Sequence, residues 1–153
     1  ENIKMTLNQT KAIRLSEHFT LYEFVHSETG ERMGINNMPD KTQIKNLTLL
    51  CREILEPARM ELGEPVKISS GLRCRGLNQA VGGVRNSQHI TGCAADIRIR
   101  TWRYRKRIFD ILAKNPHMDQ LLMEHTKKSN VYWVHVSRSD NPRHLIDKDY
   151  EAN

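Results

Sequence analysis

The sequence predicts an α+β fold, a small antiparallel sheet with helices packed on one side. Two observations carry this. From Pro39 to Leu62, the apolar residues Ile44, Leu47, Cys51, Ile54, Leu55, Ala58 and Leu62 recur at three- and four-residue spacing, the period of an amphipathic helix. Short stretches at 65–70, 93–100, 120–124 and 131–137 read as strands, with helical segments before and among them, the order of an α+β domain.

Taken in order, residues 1–15 are polar, weakly patterned and expected to form an arm. Thr20 and Glu23 form a capping-box pair, so a short helix should follow and end between His26 and Thr29. Gly30 to Asn37 read as a loop. Pro39-Asp40 open the long helix, Pro57 should kink or split it, and Gly63 stops it. Val66 to Ser70 alternate as a strand. Gly71 to Asn86 form a long glycine-rich, basic loop with room for a short helix near Arg75 to Val81. Ala94 to Arg100 form a strand whose Cys93, Ala95, Ile97 and Ile99 share the core face, leaving Asp96 on the other. Thr101 to Asn115 form a helix with Trp102, Ile108, Ile111 and Leu112 expected inside, and Pro116 ends it. The last two strands are joined by the polar residues Thr126 to Asn130, which predicts a hairpin. The tail from Arg138 is charged and expected to be loosely held.

The 153 residues suit one domain with a single core. We expect an arm over 1–15, a catalytic domain over 16–140 and a tail over 141–153. Hydrophobic residues make up 38% and charged residues 27%, and no apolar run is long enough to span a membrane. The net charge of +6 favours anionic partners, but the positive residues are spread out except for a cluster from Arg98 to Arg107. That cluster reads as a solvated helix face. No basic-aromatic pattern of a nucleic-acid module is present, so nucleic acid is not expected as a partner, and the chain is expected to act as a monomer. Cys51, Cys74 and Cys93 form no CxxC pair and read as buried or half-buried thiols. The chain opens at Glu1 with no apolar signal core behind it, which leaves the compartment open.

The chemistry centres on Ser87-Gln88-His89-Ile90-Thr91-Gly92-Cys93-Ala94-Ala95-Asp96 and, far downstream, His135. Two imidazoles and a carboxylate are a normal three-ligand set for catalytic zinc, with the fourth position left to water. Alternation puts Trp133, His135 and Ser137 on one strand face, and Gln120, Leu122 and Glu124 on one face of the neighbouring strand. A hairpin thus brings Glu124 beside His135, with Asp96 on the same side and His89 reaching in from its loop. Zinc held by His89, Asp96 and His135 would draw the pKa of a bound water towards ~7, and Glu124 is the candidate base. Arg73 could bind a developing oxyanion or a substrate carboxylate. His117 and His125 are weaker ligand candidates. His18, His26 and His144 read as surface or loop residues.

Several blocks, in order, resemble the zinc D-Ala-D-Ala carboxypeptidase family. They are Ser69-Ser70-Gly71-Leu72-Arg73, Asn78, Val81-Gly82-Gly83, Ser87-Gln88-His89, Gly92, Ala94-Ala95-Asp96, Asp119-Gln120-Leu121-Leu122 and Trp133-Val134-His135-Val136-Ser137. That family includes phage L-alanyl-D-glutamate endolysins and shares its zinc-site fold with the Hedgehog signalling domain. The resemblance spans about residues 19–137 and is nearest to its single-domain bacterial and phage forms. It implies one Zn2+ per chain held by His89, Asp96 and His135. It also implies peptidoglycan stem peptides as substrate, substrate-side roles for Arg73 and Ser87, and action on the cell wall, outside the cytoplasm or on release during phage lysis. In better-known members a carboxylate base stands three residues before the second histidine. Here that residue is Tyr132, which cannot serve at neutral pH, and Glu124 is the expected substitute. Cys74 replaces the serine that usually follows the arginine and should be tolerated. The competing readings are a non-catalytic zinc module binding cell wall or a protein, and a metal-free basic structural protein.

Overall fold

A computed structural model describes residues 4–152. Two short strands, β1 (Arg14–Ser16) and β2 (Phe19–Thr20), pair antiparallel near the amino terminus. The helices are α1 (Leu21–Val25), α2 (Glu28–Arg32), α3 (Lys41–Leu50), α4 (Glu56–Leu62), α5 (Arg75–Ala80) and α6 (Trp102–Ala113). The main sheet has the order β3-β4-β6-β5-β7, from Ile68–Ser70, Ala94–Arg98, Tyr132–Arg138, Met118–Thr126 and Leu145–Ala152. One sheet face supplies Ala95, Ile97, Leu121, Met123, Val134 and Val136 to a core completed by Ile54, Leu55, Ile108 and Leu112 of the helical layer. The α+β class and the one-sided helix packing are those the sequence predicts.

The expected helix ends are met by identifiable contacts. Thr20 N–H donates to Glu23 Oε2 at 2.7 Å, the reciprocal half of a capping box on α1. Asp40 caps α3 by accepting from Gln43 N–H at 2.7 Å, while Gln43 Oε1 accepts from Asp40 N–H at 2.9 Å. The expected break near Pro57 takes the form of a π-helical turn, Cys51–Leu55, leading into α4 with Pro57 in its first turn. Proline has no N–H to give the carbonyl four residues back, which is that of Glu53. The Asn115 amide, just beyond α6, donates to that carbonyl at 2.8 Å and fills the gap.

Four expectations are corrected. The stretch read as loop from Gly30 begins inside α2, capped by Ser27 Oγ, which accepts from Gly30 N–H at 3.1 Å. The amino-terminal arm, of which residues 1–3 lie outside the described residues, is docked. Asn8–Ala12 forms a 3-10 helix, Thr10 and Leu15 are buried, and Met5, Leu7 and Ile13 pack on the core. Its apolar residues follow neither helical nor strand spacing, so the pattern hid their burial. Trp102 is 70% exposed, whereas Tyr104, Ile108, Phe109 and Leu112 face inward. Six residues before Ile108, Trp102 lies about 120° round the helix from it, and Arg105 lies over its ring at 4.6 Å. Finally, the charged tail is strand β7, which runs parallel to β5 from Gln120↔Leu145 to Thr126↔Ala152 and makes the sheet mixed rather than wholly antiparallel. Backbone ladder bonds hold β7, not side-chain burial, so its polar sequence carries no strand period.

Candidate active site

The open face of the sheet carries the site. Asp96 pairs with His135 across β4 and β6, and Leu122 pairs with His135 across β5 and β6. Glu124 stands one step along, opposite Trp133. His89 arrives from the loop before β4. That loop is tied to α3: Gln43 Nε2 donates to Ile90 O at 3.0 Å, and Asn46 Nδ2 donates to Thr91 O at 2.9 Å. Gly92 turns the chain back at φ +80°, and a Cβ there would sit 2.9 Å from the Gln43 carbonyl.

His89, Asp96 and His135 are buried, and one donor atom from each lies within 4.8 Å of the others. Asp96 Oδ1 is 3.3 Å from His89 Nε2 and 3.0 Å from His135 Nδ1. His89 Nδ1 is 2.7 Å from the Gly71 carbonyl, which can only accept, so Nδ1 carries the proton and Nε2 keeps its lone pair for a cation. Mixed imidazole and carboxylate donors on a buried, convergent frame fit zinc. The residues holding this frame have little sequence signal. Gly71 lies so close to α1 that a Cβ would meet Phe24 Cα at 2.6 Å. Buried Asn37 donates to the carbonyls of Val25 and Leu72 and accepts from Cys74 N–H at 2.7 Å, strapping the Gly71–Cys74 segment in place. Cys74 takes over the cap of α5, its Sγ accepting from Leu77 N–H at 3.4 Å.

Burial opposes ionisation of Asp96, but the adjacent His89 and His135 imidazoles, when they carry a second proton, outweigh it and hold the carboxyl well below its usual range. Burial pushes His89 down, so it is the neutral, ligating form that the interior favours. Burial, reinforced by the charge of Asp96, pushes Glu124 up to about 7. Glu124 Oε1 lies 3.7 Å from His135 Nδ1, as the hairpin argument requires. Tyr132 points to the opposite face, where Arg105 lies over its ring at 4.2 Å. It has no place in the cleft.

Arg73 reaches the same cluster, with every guanidinium nitrogen engaged inside the protein. Nη2 donates to Asp96 Oδ2 at 3.2 Å, Nη1 to Asn78 Oδ1 at 3.2 Å, and Nε to Ser70 Oγ at 3.0 Å. Ser87 Oγ accepts from His89 N–H at 3.2 Å. Both residues line a cleft of about 430 Å³ together with His89, Asp96, Glu124 and His135. The Trp133 ring borders the cleft too, and its Nε1–H is buried with no acceptor among the described residues. His117 and His125 stay outside the cluster, paired with Glu53 and Asp149. The far wall comes from residues the sequence did not single out, Arg143 and Tyr150.

An α+β domain whose sheet and adjoining loop gather two buried histidines, a buried aspartate and a half-buried glutamate in one cleft has the donor set of a metal-dependent hydrolase. The profile of the Peptidase M15 family matches residues 17–137. The chain belongs to that family, and it is a peptidase. The match takes in all three donor residues and Glu124 and stops short of Arg143 and β7. A search of curated proteins returned no match. No helix among the described residues is long and apolar enough to cross a membrane.

Proposed function

We propose that the chain is a zinc peptidase hydrolysing an amide bond of peptidoglycan stem peptides, of the D-Ala-D-Ala carboxypeptidase or the L-Ala-D-Glu endopeptidase type, acting as a monomer. The observation that carries this is the convergence of His89, Asp96 and His135 within 4.8 Å, with Glu124 alongside. Family membership supports peptide hydrolysis, and the resemblance to zinc D-Ala-D-Ala carboxypeptidases points to the substrate. Zinc bound in that frame would supply Lewis acidity for activating water and polarising a carbonyl. His89 offers Nε2, His135 Nδ1 and Asp96 a carboxylate oxygen. Glu124 takes up a proton on its carboxylate and returns it to the departing amine. Arg73 donates to Asp96 Oδ2 at 3.2 Å and lends its charge to the developing oxyanion. Ser87 steadies the backbone of His89 at the cleft edge.

The test is digestion of purified peptidoglycan fragments with zinc-loaded protein, read by mass spectrometry with and without chelator. Release of D-alanine marks the carboxypeptidase, and a cut between L-Ala and D-Glu marks the endopeptidase. No release under either condition sinks the reading. The resemblance also favours a second reading, a non-catalytic zinc module: Tyr132 stands where it implies a carboxylate, and the Tyr132 ring lies on the opposite face of the sheet under Arg105. In that case zinc and fragments bind without turnover.

A further inference from the structure

The cleft has two arginines, in opposite situations. Arg73 belongs to the wall beside β3, and its side chain is 15% exposed with all three nitrogens bonded internally. Arg143 precedes β7 on the opposite edge of the sheet, and its side chain is 57% exposed. Asp119, buried beneath it, grips one side of the guanidinium. Nε lies 3.0 and 3.2 Å from the two carboxylate oxygens, Nη2 lies 2.6 Å from Oδ2, and the Arg143 backbone N–H donates to Oδ1 at 2.8 Å. The same carboxylate accepts from Gln88 Nε2 at 3.1 Å, one residue from His89. Nη1 makes no hydrogen bond among the described residues.

A guanidinium clamped from behind has already lost its rotamer freedom, and its outer edge still offers donors in the geometry a carboxylate takes. The strand that follows completes the wall. β7 pairs parallel with β5, so Tyr150 stands opposite Glu124 on the cleft side. An Arg–Asp pair of this kind is often no more than an anchor for a surface strand. Its place on the cleft wall, the engagement of Arg73 elsewhere and the unused Nη1 favour a ligand role.

We infer that Arg143 binds a carboxylate of the substrate peptide, making the segment from Arg143 to Ala152 the specificity wall of the cleft. The inference rests on the peptidase reading for the identity of the ligand. The carboxylate is either an acidic side chain or the free carboxyl terminus of the peptide. The experiment uses the zinc-loaded full chain and three synthetic stem-type peptides: one fully acidic, one with the side-chain carboxylate amidated, one with the terminal carboxylate amidated. Both KM and kcat are measured, and Kd by calorimetry. Wild type should favour the acidic peptide over one of the amides by about ten- to a hundredfold, chiefly in KM. Which amide suffers identifies the carboxylate. Arg143→Gln should collapse that ratio to within about twofold, and Arg143→Lys should keep part of it because the charge remains. Equal handling of all three peptides by wild type, a test that needs no variant, would overturn the inference. So would an Arg143→Gln variant that weakens all three alike. If no peptide is cut, the peptidase reading fails, and the same ratio taken in Kd still decides the role of Arg143.

Discussion

Replacing Glu124 by Gln should slow turnover and, in the metal-free protein, raise stability. The Glu124 side chain is 13% exposed, and its pKa moves from an ordinary 4.5 to about 7. Ionising it in the folded state therefore costs about 3 kcal/mol more than in the unfolded chain. The folded state holds the proton more tightly, so the direction is fixed. Below pH 4.5 both states are protonated and the carboxyl costs nothing relative to Gln. Between pH 4.5 and 7 the unfolded state ionises first and stability falls with rising pH. Above pH 7 the whole penalty applies. Metal-free Glu124→Gln should match wild type at pH 4 and exceed it at pH 8 by up to about 3 kcal/mol, roughly 6–12 °C in Tm for a chain of this size. A zinc ion beside Glu124 would favour the ionised carboxylate, so the gap should shrink when zinc is added. Thermal melts at both pH values, with chelator and with stoichiometric zinc, read the stability. Initial rates on a stem peptide read the chemistry, where a general base is worth about 10²- to 10⁴-fold in kcat. A kcat within tenfold of wild type removes Glu124 as base. A Tm difference of the same size at pH 4 and pH 8 refutes the buried-carboxylate reasoning.

Three further outcomes follow from the contacts described. Gly71→Ala puts a methyl group 2.6 Å from Phe24 Cα, so the carbonyl orienting His89 must move; zinc titration should show affinity falling by about 10- to 100-fold. Asn115→Leu strands the Glu53 carbonyl that Pro57 leaves unbonded and should cost about 1–3 kcal/mol in urea unfolding with an unchanged slope. Hydrogen bonds from Arg143 hold Asp119 below the usual carboxylate range, so its contribution is present above the unfolded pKa and is lost as pH falls through the folded one. Asp119→Asn should lose about 1–3 kcal/mol at pH 7 and converge on wild type in acid; a constant deficit would point to packing instead.

The placement of the candidate site residues was largely legible because strand alternation is a strong constraint. Once Val134 and Val136 are inside, His135 must face out, and Asp96 and Glu124 follow by the same parity. The apolar spacing of α3 and α4 was equally plain. What escaped was whatever depends on contact rather than period. Asn37 looks like any loop asparagine until three backbone groups are found around it. Asp119 stood in a block that carries the family resemblance, but its role needs Arg143, which lies 24 residues on. Trp102 was placed inside on hydrophobicity alone, although its angle on α6 contradicts that. β7 has a sequence that reads as solvated, because an exposed edge strand takes its stability from main-chain pairing.

Phe24 is fully buried, its carbonyl accepts from Leu72 N–H at 2.7 Å, and its backbone is pressed against Gly71, whose own carbonyl orients His89. The candidate metal frame is thus finished by a helix far upstream of all three donor residues. A chain in which the sheet has formed but α1 has not docked would bring the three donors near one another without aiming the first. A metal ion held by His89, Asp96 and His135 would therefore bind tightly only once α1 is seated against Gly71. Metal affinity would thus report whether the amino-terminal third of the molecule has docked.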